Sequence, residues 1–194
     1  MAVQKRSPPR CAICFCAVRI RALSPWRRLL YGAYGTLDIV LLAARIHAEP
    51  AVWVAAGLMT AGLLAKTALF PLHLWLPPAH ANAPAAASAV LSALVVKASF
   101  FLIVRLWFNV LPALPNERAS AILAALGSAA ILFGSMLALR QERLKLLIAY
   151  STVAQIGYLF LMFPLVIGAH PWAADAWSGG LMQLLAHAFA NTKS

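Results

Sequence analysis

The sequence predicts an all-α, polytopic transmembrane helix bundle with four full spans and two partial ones. Composition is the first reason: 63% of the 194 residues are hydrophobic, 11% are charged and the mean hydropathy is +0.82, more apolar than a water-soluble core requires. Spacing is the second, because the apolar residues fall into membrane-length blocks separated by short polar or proline-rich connectors. The third is physical: lipid offers no partner to a backbone N–H or C=O, so each block must satisfy its own as a helix.

Residues 1–28 form a basic arm that is expected to be unstructured. Lys5, Arg6, Arg10, Arg19, Arg21, Arg27 and Arg28 supply seven of the sixteen basic residues, and no acid occurs before Leu29. The net charge of +11 is therefore concentrated in this arm and does not line a folded face, which argues against nucleic acid and for lipid headgroups on the cytoplasmic side. Cys11 and Cys14 have metal-ligand spacing, but a structural zinc site needs four ligands and no second cysteine pair exists, so no metal site is expected. Arg19 and Arg21 follow the short apolar stretch where a signal peptide would place its small-residue cleavage site; an Arg-rich, acid-free transit peptide is the other targeting reading.

Leu29 to Ala44 reads as the tail of a span. Full spans follow at Ala51 to Leu76, Pro84 to Phe108, Ala119 to Leu139 and Leu144 to Gly168, and Ala176 to Ala190 reads as a span cut short. Arg140, Arg143 and Lys145 against Glu142 make the connector between the third and fourth spans positive, which places it on the cytoplasmic side. Alternation puts the Pro77 to Ala83 connector on that same side and the loops at Asn109 to Arg118 and Ala169 to Asp175 outside. Trp75, Trp107, Trp172 and Trp177 lie near span ends and read as interfacial anchors.

Two lysines interrupt this pattern. A charge at membrane mid-depth costs about 2.5–3.5 kcal/mol on insertion scales, and Lys66 and Lys97 stand 31 positions apart in separate spans. Lys66 is roughly 15 Å from the nearer end of its span at about 1.5 Å per residue, too far to snorkel easily. Pro71 cannot donate to the Thr67 carbonyl, so the first full span should break near it. His73, seven residues after Lys66, lies close to the same helical face, so a lysine, a freed carbonyl and an imidazole are expected to share a polar pocket. Broken helices at mid-membrane are where transporters place ion sites; the plainer alternative is a snorkelling lysine beside a tolerated kink. In the second span Ala85, Ala89 and Ala93 form a small-residue stripe that Lys97 continues into the bundle. Arg105 lies close enough to the outer end to snorkel.

The string AKTALFPLHLWLPPAHANAP, followed by SALVVKASFFLIVRLWF, RLKLLIAYSTVAQIGY and LLAHAFA, resembles the antiporter-like proton-conducting membrane subunits shared by respiratory complex I (NADH:quinone oxidoreductase) and the multisubunit cation/proton antiporters. The resemblance covers about Leu29 to Ala190, and a lysine at position 97 is more similar to the D-type antiporter subunit or the complex I subunits near the quinone module than to the distal complex I subunit. It implies two inverted five-helix repeats, each holding a half-channel. Lys66 is then the broken-helix lysine that pairs with a glutamate, Lys97 the connecting lysine, and His187 the histidine at the start of the helix leading to the second half-channel; His73 joins them as a candidate on the proton path. When the acid moves away, the lysine releases its proton through water in the low-dielectric interior. Ser88, Ser92, Ser99, Tyr150, Ser151 and Gln155 are candidates to wet that path, or to serve as helix-packing hydrogen bonds.

Residues 1–28 and 191–194 depart from the family pattern, the helix carrying the glutamate is expected before Leu29, and further spans after Ala190. No acid lies in the middle of a full span. The expected function is proton or cation/proton translocation as a fragment of such a subunit, in a bacterial inner membrane, with other membrane subunits and the bilayer as partners and no cofactor or catalytic site of its own. The alternative is a structural membrane protein that has lost transport. A haem protein using intramembrane histidines is a third class, but His47, His73, His80, His170 and His187 show no spacing that would ligate haem from facing spans.

Overall fold

The computed structural model describes residues 31–32, 34–35, 41, 50–110, 117–167 and 171–192. The basic arm with Cys11, Cys14 and Cys16, most of the partial span at 29–44, His47, His170 and the last two residues lie outside the described residues. What is described is helical: α1 (Pro50–Thr67), α2 (Leu76–Asn82), α3 (Ala85–Val90), α4 (Val96–Arg105), α5 (Glu117–Leu139), α6 (Leu144–Phe160), α7 (Met162–Ile167) and α8 (Ala173–Thr192). Four helical stretches are long and apolar enough to cross a membrane: Pro50–Thr67, Ala86–Val110, Glu117–Leu139 and Leu144–Ile167.

The first full span ends earlier than Pro71 requires. Helix α1 stops at Thr67, and Ala68 takes a left-handed φ of 58°, a conformation that strains any residue with a Cβ. Turns then lead through Pro71 to α2, where Pro77 and Pro78 occupy the first positions, the place at which a missing N–H is harmless. Ala83 is extended at φ −80° and ψ 147°, as the residue before Pro84 must be.

Residues 85–110 form one membrane-length rod in which two π turns, Leu91–Val95 and Leu106–Val110, bracket α4. The fourth span is also interrupted. Pro164 cannot donate to the Phe160 carbonyl, the chain tightens so that the Leu161 N–H donates to the Tyr158 carbonyl at 3.2 Å, and α6 gives way to α7. The stretch read as a cut-short span is a 20-residue helix, α8, packed on α7, α6 and the first π turn.

The main scaffold contact is between α5 and α6. A Cβ on Gly157 would lie 2.5 Å from the Gly127 carbonyl oxygen and 2.8 Å from Ile131, and one on Gly134 would lie 2.9 Å from the Ala154 nitrogen, so the two backbones touch where only glycine leaves room. A cluster of rings closes one end of the bundle: Phe160 and Phe163 stack at 5.7 Å, Phe100 meets Phe160 edge-on at 5.3 Å, and Trp107 meets Phe163 at 5.5 Å. Trp177 joins it against Phe108 at 5.4 Å. Trp107 and Trp177, read as anchors from their places near span ends, also make inter-helix contacts: Trp107 donates to the Thr60 hydroxyl at 3.1 Å, and both half-buried rings pack against neighbouring helices.

Candidate functional site

Lys97 is 4% exposed. It is the second residue after the first π turn, which shifts the hydrogen-bond register by one residue and makes its carbonyls accessible to side chains. The Lys97 Nζ donates to the Ser92 carbonyl at 2.8 Å. Ser92 also reaches the next helix: its Oγ lies 3.1 Å from Thr152 Oγ1, which in turn donates to the Ile148 carbonyl at 2.8 Å. One turn further along α6, Gln155 Oε1 accepts from Gln183 Nε2 of α8 at 2.5 Å. His187 lies one turn beyond Gln183 on α8.

Residues distant in sequence therefore meet in two polar links one turn apart on α6: Lys97 and Ser92 of the second span with Thr152, and Gln155 with Gln183 of α8. Thr152 and Gln183 carried no mark in sequence beyond their type, since their partners are 60 and 28 residues away. Ser99 takes no part, its hydroxyl donating to the Val95 carbonyl of its own helix at 3.2 Å.

The other lysine has a different setting. Lys66 is half-buried in the last turn of α1 and forms no hydrogen bond or ion pair with the described residues. The pocket expected around it is not assembled in the expected way. The turns after Thr67 remove His73 from the helical face of Lys66, and its ring stacks on Phe70 at 5.5 Å with a buried Nδ1 that has no hydrogen-bond partner among the described residues. The carbonyl beside Lys66, that of Ala65, accepts from the Trp75 indole at 2.9 Å. Trp75, read as an anchor from its place near a span end, thus donates to the broken end of α1. Pro71 itself is exposed.

A second polar pair sits in the connector. His80 is fully buried; its Nδ1 lies 2.5 Å from Ser88 Oγ, its Nε2 has no partner among the described residues, and burial lowers its pKa below the usual 6.5. Above it Lys145 donates to the Ala83 carbonyl at 3.0 Å, so the connectors at 77–83 and 140–145 lie on one side of the bundle. Among the described residues no group of three His, Cys, Asp or Glu gathers as a metal site.

The family profile described as NADH:quinone oxidoreductase/Mrp antiporter, transmembrane, matches residues 27–193. The chain is similar to NADH-quinone oxidoreductase subunit N of Desulforudis audaxviator, 36% identical over 163 residues that cover 82% of this chain and 31% of the relative. It is also similar to F(420)H(2) dehydrogenase subunit N of Methanosarcina mazei, 34% identical over 163 residues, 82% of this chain and 32% of the relative. Among solved structures, a chain of the Mrp complex from Dietzia sp. superposes with a TM-score of 0.78 at 28% identity, over 94% of this chain and 34% of that one. A chain of the membrane-bound sulfane sulfur reductase, an archaeal respiratory membrane complex, gives 0.74 at 30% identity, over 93% and 36%. The chain spans about a third of the length of the curated relatives it matches. With the apolar rods, the broken first span and a profile match over most of its length, the chain is a multi-pass membrane protein belonging to the NADH:quinone oxidoreductase/Mrp antiporter transmembrane family.

Proposed function

We propose that this chain carries part of the proton path of an antiporter-like subunit, working with other membrane subunits of a respiratory or cation/proton antiporter complex. The observation that supports this most is the buried Lys97 bound to the Ser92 carbonyl, with the Ser92–Thr152 and Gln155–Gln183 links one turn apart on α6 and His187 one turn beyond Gln183. A buried ammonium inside lipid is expensive, and such groups mark ion and proton pathways. Here Lys97 holds the proton, the Ser92 carbonyl stabilises the charged form, and the hydroxyls and amides offer sites through which water can connect it to His187. Lys66, on the broken helix, is the preceding proton site, its carboxylate partner being supplied from outside the full spans of this chain. Residues 29–190 form the transport unit, and the connectors at 77–83 and 140–145 face the cytoplasm.

Proton flux into proteoliposomes carrying the chain, followed with a trapped pH dye, tests the reading. K97M should abolish the flux, whereas R105Q, at an exposed position, should leave it intact. Equal flux with and without the Lys97 ammonium sinks the proposal, and a wild-type chain that conducts no better than empty vesicles assigns these helices a packing role instead.

A further inference from the structure

The break after α1 raises a question that Pro71 does not answer. The helix has already ended at Thr67, four positions before the proline, and the last carbonyls of a helix need partners wherever lipid supplies none. The Leu64 carbonyl has two, the Thr67 hydroxyl at 2.9 Å and the Leu69 N–H at 3.3 Å. The Ala65 carbonyl, one residue before Lys66, has a side chain from ten positions on: the Trp75 indole N–H at 2.9 Å. Ala68, between them, stands in a left-handed conformation that is unfavourable for an alanine, so the surrounding contacts must hold the break open against it.

We propose that Trp75 is the positioning residue for Lys66: its indole N–H caps the broken end of α1 through the Ala65 carbonyl and so holds the lysine at a set depth and direction. Trp75 is suited to this because it is large enough to bridge back from the far side of the break and carries one donor and no acceptor. It is half-buried and stands next to Leu76, a core residue at the start of α2, so the cap also ties the loose end of α1 to α2. The bond from Trp75 fixes Lys66 because a residue in the last helical turn inherits its direction from the carbonyl beside it. This deepens the transport reading and rests on it only for the consequence, not for the geometry.

The test compares wild type with W75F, which keeps an aromatic ring and loses the donor, in the full chain reconstituted in vesicles. The acetylation rate of Lys66, read by mass spectrometry, is expected to rise about 2- to 10-fold in W75F, the range into which the net contribution of one hydrogen bond converts. The rate at Lys145, on the connector, should not change. If W75F does not fold, 3-benzothienylalanine at position 75, with the shape of tryptophan and no N–H, makes the same comparison. Unchanged Lys66 reactivity in a folded donor-less variant overturns the proposal whatever the proton flux does. Raised reactivity in a chain whose wild type carries no flux leaves the positioning role standing and sinks the transport reading.

Discussion

Ser92 and Thr152, 60 residues apart, share a hydrogen bond of 3.1 Å in the interior of the bundle. It joins the second span to the fourth and lies beside the carbonyl that holds Lys97. Because Thr152 Oγ1 also donates to Ile148, S92A should cost little, about 0.5–1 kcal/mol, in line with interhelical bonds in membranes. S92A/T152V should cost less than the sum of the single changes, by about 0.5 kcal/mol. Unfolding of the four variants in mixed micelles gives the cycle, and strict additivity would show that the pair is not coupled.

The Gln155–Gln183 bond should matter for transport more than for stability. Q183L removes the hydrogen bond between the α6 amide and the helix turn that precedes His187. Proton flux in vesicles is expected to fall about 2- to 10-fold, as loss of one positioning hydrogen bond implies, with the helical content by circular dichroism unchanged.

At the α5–α6 crossing there is no room for a methyl group. G157A should destabilise the chain by about 1–3 kcal/mol, the usual cost of overpacking, because its Cβ meets the Gly127 backbone and Ile131. G179A, with nothing within 4 Å of the added atom, should be neutral or stabilising by up to about 1 kcal/mol, as alanine favours helix over glycine. Thermal melting of the detergent-solubilised variants separates the two.

Ala68 admits a conformational test. A β-branched residue at φ 58° is an outlier, so A68V should lower stability by about 1–3 kcal/mol. A melting temperature equal to wild type would mean that the break can be made without the left-handed residue.

His80 predicts a pH dependence. Its folded pKa is lowered by burial from 6.5, so the folded chain resists a proton that the unfolded chain accepts. Stability is then fully present above pH 6.5 and declines as the pH falls below it, until the folded pKa is passed. H80N, which keeps a polar group facing Ser88, should flatten this decline between neutral pH and about 5.5. A wild-type melting temperature that falls no more than that of H80N over this range would show that His80 does not contribute.

The spans were legible because lipid leaves the backbone one solution: apolar length alone marks the helices ending at Leu139 and beginning at Leu144. The alanine stripe pointed Lys97 inward even though Ala93 itself lies in a π turn, a register change that no local residue announces. Helix ends were harder. Pro71 drew the break toward itself, whereas Ala68 decides it, and alanine carries no signal for a left-handed turn; Pro164 did carry a signal and interrupts the fourth span. Trp75, Trp107 and Trp177 have the composition of an interfacial belt, and their hydrogen bonds and ring contacts to other segments depend on tertiary packing that span ends do not announce. The Gln155–Gln183 bond likewise depends on how α8 packs on α6, not on any spacing along the chain.

The glycine crossing of α5 and α6 divides the labour of the molecule. Backbones that already touch have no slack to slide or rotate, so these two helices act as a fixed beam. Under the transport reading proposed above, rearrangement falls on the other elements, which contain the joints: the left-handed residue after α1, the two π turns around α4 and the amide bridge to α8. One side of the bundle bears the load, and the other is free to move.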